Sequence, residues 1–391
     1  MIRLIKFIGI FVLAIGMVCL ILVVSGNGHI VNGIGKTYLV GNSRPDIDDM
    51  TFFDLREIAA TDPQPWEEID EKIVLNADQE NSFTELNSTA FIVIKDGMII
   101  AENYWPEENR LEYSNSFSMA KSFTGLCIGH AIDAGFIESY DQPLCDFVPQ
   151  YCEGMDAEIT IGHLLQMRSG IDFGESYFDP FGYQAKAYYG TQLQDATLEF
   201  HASRKPGSFW VYEGGNSVLL GMVLKVATGK SLSEYFAEHI WSPIGAEMPA
   251  YWNLDHDGGM EKPFSAVYSN ARDFARVGQL CLDSGNWKGR QLVPKQFVED
   301  LSTPVMVPDV TGEPYRYYGM HWWLGELDGH PFYSCRGMRG QYIVCLPHLN
   351  AVMVRLGHDR DENAHERGAT LDLWDYLEIT KDLIEQYEGR Y

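Results

Sequence analysis

The sequence predicts an α+β fold, in which strands from both ends of the domain form an antiparallel sheet and helices fill the middle. Three observations support this prediction. Residues 91–102 contain two apolar runs around Asp96-Gly97, a strong hairpin signal. Aromatic and β-branched runs return late in the chain, and helical patterns broken by glycine and proline lie between. The simplest assembly is one sheet covered by a C-terminal helix, with helices flanking it and an inserted all-helical subdomain at about 116–300.

The first 25 residues form an apolar leader. Arg3 and Lys6 precede an unbroken apolar run from Phe7 to Val24, which is long enough to span a bilayer core with its basic end in the cytoplasm. The run ends without a small-residue cleavage pattern, so residues 1–25 are interpreted as an uncleaved signal-anchor, with a cleaved signal peptide as the alternative. Either leader would place the rest of the chain outside the cytoplasm, in a periplasmic or extracellular space.

The remaining chain divides into a linker and one domain. Residues 26–46 are rich in Gly, Asn and Ser and are interpreted as a linker, and residues 47–391 as the folded domain. Helices are predicted at 116–134, 217–227, 270–282 and 370–387, the first three followed by Gly135, Gly229 and Gly285. Late strands are predicted at 317–324, 341–346 and 352–356.

The net charge excludes one class of partner. The formal charge of the 391 residues is −26. Because the leader carries two of the 29 basic residues and no acid, the rest has 27 basic and 55 acidic residues, a net charge of −28. A surface this acidic repels phosphate backbones, so nucleic-acid binding is not expected.

Seven cysteines occur, one of them Cys19 in the leader. Cys145 and Cys152 could bridge, and Cys335 and Cys345 could face each other across a strand pair, but six buried free thiols are the preferred interpretation. Neither a CxxC pair nor a closely spaced histidine pair is present. A metal site is therefore not expected, and no other cofactor is predicted.

The sequence Ser118-Met119-Ala120-Lys121 is an S-x-x-K motif near a predicted helix start. Residues three apart share one helix face, so the hydroxyl and the amine can approach each other. A hydroxyl needs a neighbouring base to become a nucleophile, and a neutral or proton-sharing Lys121 could serve. The helix start also favours a developing alkoxide, and the Ser118 N–H could donate to an oxyanion.

The flanking residues 116–125, Ser-Phe-Ser-Met-Ala-Lys-Ser-Phe-Thr-Gly, resemble the nucleophile helix of the serine β-lactamase and penicillin-binding-protein-like hydrolases. The likeness is strongest to the branch that holds class C β-lactamases, esterases and 6-aminohexanoate-dimer hydrolase. Further blocks similar to this family follow in order, at 159–171, 206–221, 268–278 and 337–347. The resemblance covers about residues 85–360 and implies the same α+β fold.

The resemblance implies roles for individual residues. Ser118 falls on the nucleophile, Lys121 on its partner lysine, and Tyr212 on the tyrosine that carries protons to the leaving group. The backbone N–H groups of Ser118 and Met338 would form the oxyanion hole. Asn216, Arg336 and Gln341 are candidate substrate-binding residues.

Two departures from the class C pattern bear on the substrate. Gly214 stands where class C enzymes have asparagine, so the nearest amide is Asn216. Cys335-Arg336-Gly337-Met338 replaces the Lys- or His-Thr-Gly motif. Arg336 or Arg339 could bind a substrate carboxylate, although either could equally be an ordinary surface arginine.

The sequence therefore predicts an acyl-transfer hydrolase acting on a small-molecule or peptide amide or ester, held to a membrane by its leader. A β-lactamase or a D-Ala-D-Ala carboxypeptidase is the alternative within enzymes. A membrane-tethered binding or sensor module that has lost activity is the alternative outside them.

Overall fold

The computed structural model describes residues 2–105, 110–365 and 368–390. Its helices are α1 Ile2–Val24, α2 Gly28–Lys36, α3 Ala77–Thr84, α4 Met119–Asp133, α5 Ile161–Leu165, α6 Tyr183–Tyr189, α7 Leu193–Leu198, α8 Gly214–Thr228, α9 Leu232–Phe236, α10 Ala271–Leu282, α11 Lys295–Leu301 and α12 Leu371–Glu388. Its strands are β1 Leu55–Ile58, β2 Glu67–Glu68, β3 Ser88–Lys95, β4 Met98–Tyr104, β5 Ser114–Asn115, β6 Ala250–Asn253, β7 Val267–Ser269, β8 Asn286–Trp287, β9 Arg290–Gln291, β10 Trp323–Leu327, β11 His330–Gly337, β12 Gln341–Leu346 and β13 Ala351–Gly357.

The main sheet joins strands from both ends of the domain, as the sequence predicts. Its seven strands run in the order β10-β11-β12-β13-β3-β4-β2, and every pair is antiparallel except β2 with β4. The predicted hairpin is β3 and β4, joined through Asp96 and Gly97, whose φ angles are +51° and +79°. This left-handed pair twists the turn to match its strands, which explains the strength of the Asp-Gly signal.

The sheet is buried on both faces. One face packs against α12 and α3 through a cluster that includes Phe83, Phe91 and Tyr376. The opposite face contributes Ile92, Ile343 and Val354 to the larger core that contains α4, α8 and α10. Because every residue of β12 and β13 is buried, these strands are continuous apolar runs with little polar alternation.

The predicted all-helical insertion at 116–300 is smaller and less purely helical than expected. A second, four-stranded sheet of order β1-β6-β7-β5 draws two of its strands from this region, and β8 and β9 form a further hairpin there. Helix α10 belongs to this region in sequence but packs on the main sheet. A Cβ at Gly278 of α10 would lie 2.6 Å from the Val352 side chain. These short strands were not predicted, because runs of two to four residues are too short to show a periodic pattern.

The late strands differ from the prediction at one place. Strands β12 and β13 lie where 341–346 and 352–356 were predicted, but 317–324 is a strand only from Trp323 onward. Residues 318–321 instead enter the core as irregular chain, with His321 in the left-handed region at φ +60°. Strand β11 was not predicted because Pro331, Arg336 and Gly337 interrupt its apolar pattern.

The N-terminal region contains more structure than the linker interpretation assumed. Among the described residues, one helical stretch, Arg3–Val24, is long and apolar enough to cross a membrane, with a mean hydropathy of 3.2 and no burial against protein. Four residues after α1 ends, helix α2 begins within the predicted linker. It packs against α6, and Asn32 donates to the Tyr189 carbonyl at 3.1 Å. The sequence did not predict this helix, because its glycine-rich composition is unfavourable for an isolated helix. Its stability comes from the contact with α6.

The cysteines correct one further expectation. Cys145 and Cys152 form a disulfide, so the preferred interpretation of six free thiols was wrong. Cys335 and Cys345 are free and buried, as are Cys127 and Cys281. Cys335 pairs with Ile343 in the β11–β12 register and Cys345 with Tyr333, so the two thiols lie diagonally rather than opposite each other.

Candidate active site

Ser118 lies at the N-terminus of α4 on a constrained piece of backbone. Phe117, directly before it, has φ +45°, and its N–H donates to Asn115 Oδ1 at 2.8 Å. A left-handed phenylalanine is costly, so the surrounding bonds must hold it. Phe117 and Met119 are buried whereas Ser118 is partly exposed. This backbone therefore presents the hydroxyl to a cleft.

The amine of Lys121 meets this hydroxyl. Lys121 is 1% exposed, and its Nζ lies 3.0 Å from Ser118 Oγ and 2.9 Å from the Phe264 carbonyl oxygen. Both partners are neutral oxygens. The same Nζ lies 4.8 Å from the centre of the Tyr212 ring. The structure therefore brings the three predicted catalytic residues together.

Tyr212 lies two residues before α8 and belongs to an aromatic cluster. Its ring centre is 5.0 Å from that of Trp323 and 5.9 Å from that of Tyr318. The next residue, Glu213, is buried and accepts the N–H groups of Phe173 and Gly174 at 2.9 and 3.1 Å. Burial raises the pKa of Glu213 to about 8, with Asp172 and Glu175 adding to the rise.

The turn that carries Met338 lies against the nucleophile segment. A Cβ at Gly337 would lie 2.3 Å from the Ser116 carbonyl oxygen, so only glycine permits this approach. Gln341 holds the turn through its amide nitrogen, which donates to the Met338 carbonyl at 3.2 Å and to the Arg339 carbonyl at 3.3 Å. Its amide nitrogen donates to the Gly357 carbonyl at 2.6 Å and its oxygen accepts the Gly357 N–H at 3.1 Å. Gln341 has no exposed surface, so the structure assigns it to positioning this turn and does not support direct substrate contact.

The other two candidate substrate-binding residues are also held by protein contacts. Asn216 is buried on α8 and its amide nitrogen donates to the Glu213 carbonyl at 3.2 Å, while its Oδ1 has no partner in the described part of the chain. Arg336 donates to Ser334 Oγ and the Gly368 carbonyl at 2.9 and 3.1 Å, and its guanidinium lies 5.5 Å from the Trp323 ring centre. Burial lowers the pKa of Arg336 to about 10.

Arg339 is a structural residue. Its Nε donates to the Pro45 carbonyl at 2.7 Å, one terminal nitrogen donates to the His358 carbonyl at 2.6 Å, and the other pairs with Asp46 at 3.2 Å. These bonds fix the residue that follows Met338. The alternative of a carboxylate-binding Arg339 is therefore not supported.

A buried polar network behind the nucleophile was not predicted. Asp49 accepts from Asn115 Nδ2 at 3.0 Å, Tyr268 Oη at 2.7 Å and Tyr188 Oη at 3.2 Å. Burial raises the pKa of Asp49 to about 6, although all three donors oppose that rise. Asn115, whose Oδ1 holds Phe117, thereby connects Asp49 to the backbone of Ser118.

Lys262 is joined to the same network through Tyr188. It donates to the Tyr188 carbonyl at 2.6 Å and to Asn253 Oδ1 at 2.8 Å. Burial lowers its pKa to about 7, and Lys36 contributes to the decrease. The partners come from segments far apart in sequence, so no local pattern could have shown the network.

His321 links three helices of the site through hydrogen bonds. Its Nδ1 bonds to the Leu165 carbonyl at 2.7 Å, its Nε2 to Ser217 Oγ at 2.8 Å, and its carbonyl accepts Ser122 Oγ at 2.6 Å. Burial lowers the pKa of His321 to about 3, so it is neutral and one ring nitrogen can accept. Helices α4, α5 and α8 are thus joined through one residue.

One group of side chains has the composition of a metal site. Single ligand atoms of Asp46, Asp48 and His358 lie within 4.8 Å of one another. Asp46 is already bonded to His358 Nδ1 at 2.8 Å and paired with Arg339. Because these groups satisfy each other, we assign no metal to them, and the absence of a metal site stays a prediction.

Comparisons with known proteins bear on the family and the fold. A family model described as Beta-lactamase matches residues 78–377. The chain is 27% identical over 324 residues to a 6-aminohexanoate-dimer hydrolase of Paenarthrobacter ureafaciens, a match that spans 77% of this chain and 80% of the relative.

Solved structures share the fold. A Bacillus anthracis protein assigned as a 6-aminohexanoate-dimer hydrolase superposes with a TM-score of 0.73 at 21% identity, covering 87% of this chain and 93% of that one. A family VIII carboxylesterase superposes with a TM-score of 0.62 at 17% identity, covering 80% of this chain and 99% of that one. The predicted α+β fold class and the predicted family are both confirmed. The family model matches most of the chain, and the chain belongs to the Beta-lactamase family of hydrolases.

Proposed function

We propose that this protein cleaves an amide or ester bond through an acyl-enzyme on Ser118, as a hydrolase of the 6-aminohexanoate-dimer hydrolase and esterase type. The observation that carries the proposal is the buried Lys121 amine 3.0 Å from Ser118 Oγ, with the Tyr212 ring beside it. A buried lysine bonded to a half-exposed hydroxyl and a carbonyl has little structural purpose, because burying an amine costs free energy. It is suited to receive the proton of a nucleophile.

The proposed reaction has two halves. Ser118 Oγ attacks the substrate carbonyl while Lys121 and Tyr212 take up its proton, and the N–H groups of Ser118 and Met338 stabilise the oxyanion. The tetrahedral intermediate then collapses, and Tyr212 protonates the departing amine or alcohol. Water attacks the resulting ester of Ser118 and gives a proton to Tyr212 or Lys121. That group returns the proton to Ser118 Oγ as the bond between Oγ and the acyl carbon breaks and the acid departs.

The departures from the class C pattern favour linear amides and esters over β-lactams. Arg336 occupies the position of the family threonine, is engaged with Ser334 and Gly368, and lies over Trp323. Gly214 leaves the position of the class C asparagine without a side chain. Two groups that hold a β-lactam in class C enzymes are thereby replaced. β-Lactam hydrolysis and D-Ala release remain the alternatives that the assay must separate.

We further propose that α1 is a signal-anchor and that the hydrolase domain lies outside the cytoplasm. Arg3 and Lys6 precede the apolar stretch, which is the orientation that keeps the N-terminus in the cytoplasm. The Cys145–Cys152 disulfide supports this location, because disulfides persist in oxidising compartments. A cleaved leader would give the same compartment and a secreted protein, and the mass of the mature chain distinguishes the two.

The test is the intact mass of the full chain after incubation with a fluorophosphonate, a p-nitrophenyl ester and a linear aminohexanoate-type amide. We expect an adduct on Ser118 that is absent in Ser118→Ala, and acyl transfer at least tenfold slower in Tyr212→Phe. Ser208→Ala and Tyr315→Phe are the matched controls, because each removes a hydroxyl outside the proposed machinery. Nitrocefin and a D-Ala-D-Ala peptide form the comparison arms.

Two outcomes would change the assignment. Faster turnover of nitrocefin or of the D-Ala-D-Ala peptide than of the linear substrates would move it to a β-lactamase or a carboxypeptidase. A folded sample that forms no adduct with any reagent would indicate the inactive binding module.

A further inference from the structure

The segment Glu175–Phe181 exposes three aromatic side chains within a span of five residues. Phe178 is 97% exposed, Phe181 58% and Tyr177 55%. Single exposed apolar residues are ordinary, but contiguous ones mark a surface that is covered by something else. This segment, here called the aromatic loop, therefore requires an apolar or amphipathic partner.

The aromatic loop lies beside the end of the apolar helix α1. His29, the second residue of α2, bonds through Nε2 to the Pro180 carbonyl at 2.9 Å. A Cβ at Gly28 would lie 3.6 Å from the Val23 side chain, so the start of α2 contacts the last turn of α1. Phe178 and Phe181 are within two residues of Pro180. The backbone of the aromatic loop is thus held near the point where α1 leaves its apolar run.

Helix α2 and the turn that follows it add exposed apolar residues at the same place. His29, Gly33 and Thr37 are buried, at a spacing of four that marks one side of the helix. Ile34 on α2 is exposed, as are Tyr38 and Leu39 in the 3-10 turn Tyr38–Val40 that follows the helix. A short helix with one side on the domain, followed by exposed apolar residues, is suited to a membrane interface.

The partner that fits this surface is the bilayer around α1. No part of the 18-residue apolar window of α1 is buried by protein, so lipid is what can cover it. The interfacial zone beyond the hydrocarbon is about 5–8 Å deep on each side, which spans the first turn of chain after a membrane helix. Tyrosine and other aromatic rings are favoured there. The acidic domain has no attraction for anionic lipids, so the contact depends on apolar burial.

The aromatic loop is also bonded to the segment that carries Tyr212. Glu175 accepts the N–H of Gly214, two residues after Tyr212, and Tyr177 Oη donates to Glu175 Oε1 at 2.6 Å. The exposed aromatic loop is therefore connected to the backbone beside Tyr212.

We propose that the aromatic loop and the exposed residues Ile34, Tyr38 and Leu39 form a second bilayer contact, and that the cleft takes amphiphilic amides or esters from the lipid–water interface. The second part rests on the proposed hydrolase function. The first part stands without it, so the two are tested by separate measurements.

The contact is tested on the full chain in phosphatidylcholine vesicles. Phe178→Cys, in a Cys19→Ala background, is labelled with an environment-sensitive fluorophore; Cys127, Cys281, Cys335 and Cys345 are buried and the other two cysteines are bridged. Phe136→Cys is the matched control, because Phe136 is 47% exposed at the far end of α4. We expect headgroup nitroxide lipids to quench the probe at 178 at least threefold more than at 136, equally at low and high salt. Equal quenching at both positions would overturn the contact.

The substrate class is tested by a ratio of rates. The double variant Phe178→Ser/Phe181→Ser should lower hydrolysis of a long-chain ester held in vesicles at least fivefold relative to a short soluble ester. Phe136→Ser should leave that ratio unchanged. A parallel fall in both rates, or no fall in either, would overturn interfacial substrate capture. A wild-type chain that hydrolyses neither ester would instead contradict the proposed function, while the quenching result would still decide the contact.

Discussion

Asn115 is the residue through which the buried network reaches the nucleophile. One end of its amide accepts the N–H of the left-handed Phe117, and the other donates to Asp49. Aspartate at position 115 could still accept from Phe117 but would face the Asp49 carboxylate at 3.0 Å. Two carboxylates at that separation repel strongly inside a protein. Exchanging the residue types at positions 49 and 115 therefore tests this contact.

We expect Asn115→Asp to lower the free energy of unfolding by about 2–4 kcal/mol and kcat by at least tenfold at pH 8. Adding Asp49→Asn should restore most of both, because the exchanged pair again places one amide against one carboxylate. Urea unfolding and kcat on a soluble ester measure this. A double variant no better than the single one would show that Asn115 acts by some other contact.

The raised pKa of Glu213 predicts that the stability of the protein depends on pH. Burial raises its pKa from 4.5 to about 8, so the folded state binds this proton more tightly than the unfolded state. The resulting stability is complete below pH 4.5 and is lost as the pH rises towards 8. Glu213→Gln keeps an oxygen for the Phe173 and Gly174 N–H groups and removes the titration.

The variant should be more stable than wild type at pH 9, by roughly 1–3 kcal/mol, and should lose this advantage at pH 5. Urea unfolding at the two pH values is the measurement. A stability difference that is the same at pH 5 and pH 9 would rule out Glu213 as the source of the pH dependence.

At the scale of elements, the end of β11 must approach the start of α4 for the site to form. Gly337→Ala would place a Cβ 2.3 Å from the Ser116 carbonyl oxygen, so the turn bearing Met338 would have to move away. A displacement of about 1 Å in a catalytic group can cost 100-fold in rate, and we expect kcat to fall by about 10–100-fold. Gly35→Ala is the control, because nothing lies within 4 Å of its Cβ. Unchanged kcat in a folded Gly337→Ala protein would separate this turn from the oxyanion hole.

Elements with a local cause were predictable from the sequence, and those held by distant partners were not. The β3–β4 hairpin, α10 and α12 follow from an Asp-Gly turn, an Asn270 cap that accepts the Asp273 N–H, and an amphipathic period. Helix α2 and the second sheet depend on tertiary contacts, and their sequences carry no periodic signal. The same division holds in the site. Ser118 and Lys121 share a helix turn, whereas Asp49 and His321 reach the site only through the fold.

For the whole molecule, the chain before β1 is part of the site as well as a connection to α1. Pro45 and Asp46 bond to Arg339 beside Met338, and the Ile47 carbonyl accepts the Asn115 N–H at 3.0 Å. Residues 45–49 thus contact both backbone segments that carry the proposed oxyanion donors. The predicted boundary at residue 46 cuts through this contact.

Two truncations separate the roles of the N-terminal region. Removing residues 1–26 should leave kcat on a soluble ester within about twofold of the full chain, because the bonds of residues 45–49 are retained. Removing residues 1–50 should lower kcat more than tenfold and reduce stability, because Arg339 and Asn115 both lose buried partners. Asp46→Asn removes the charge that Arg339 and His358 face and leaves the chain uncut, so it serves as the second test if the longer truncation fails to fold. In that variant kcat should fall while KM for the soluble ester changes little, because the turn that follows Gly337 would be held less firmly in the transition state. Equal kcat in both truncations, or an unchanged kcat in Asp46→Asn, would confine the site to residues 51–391.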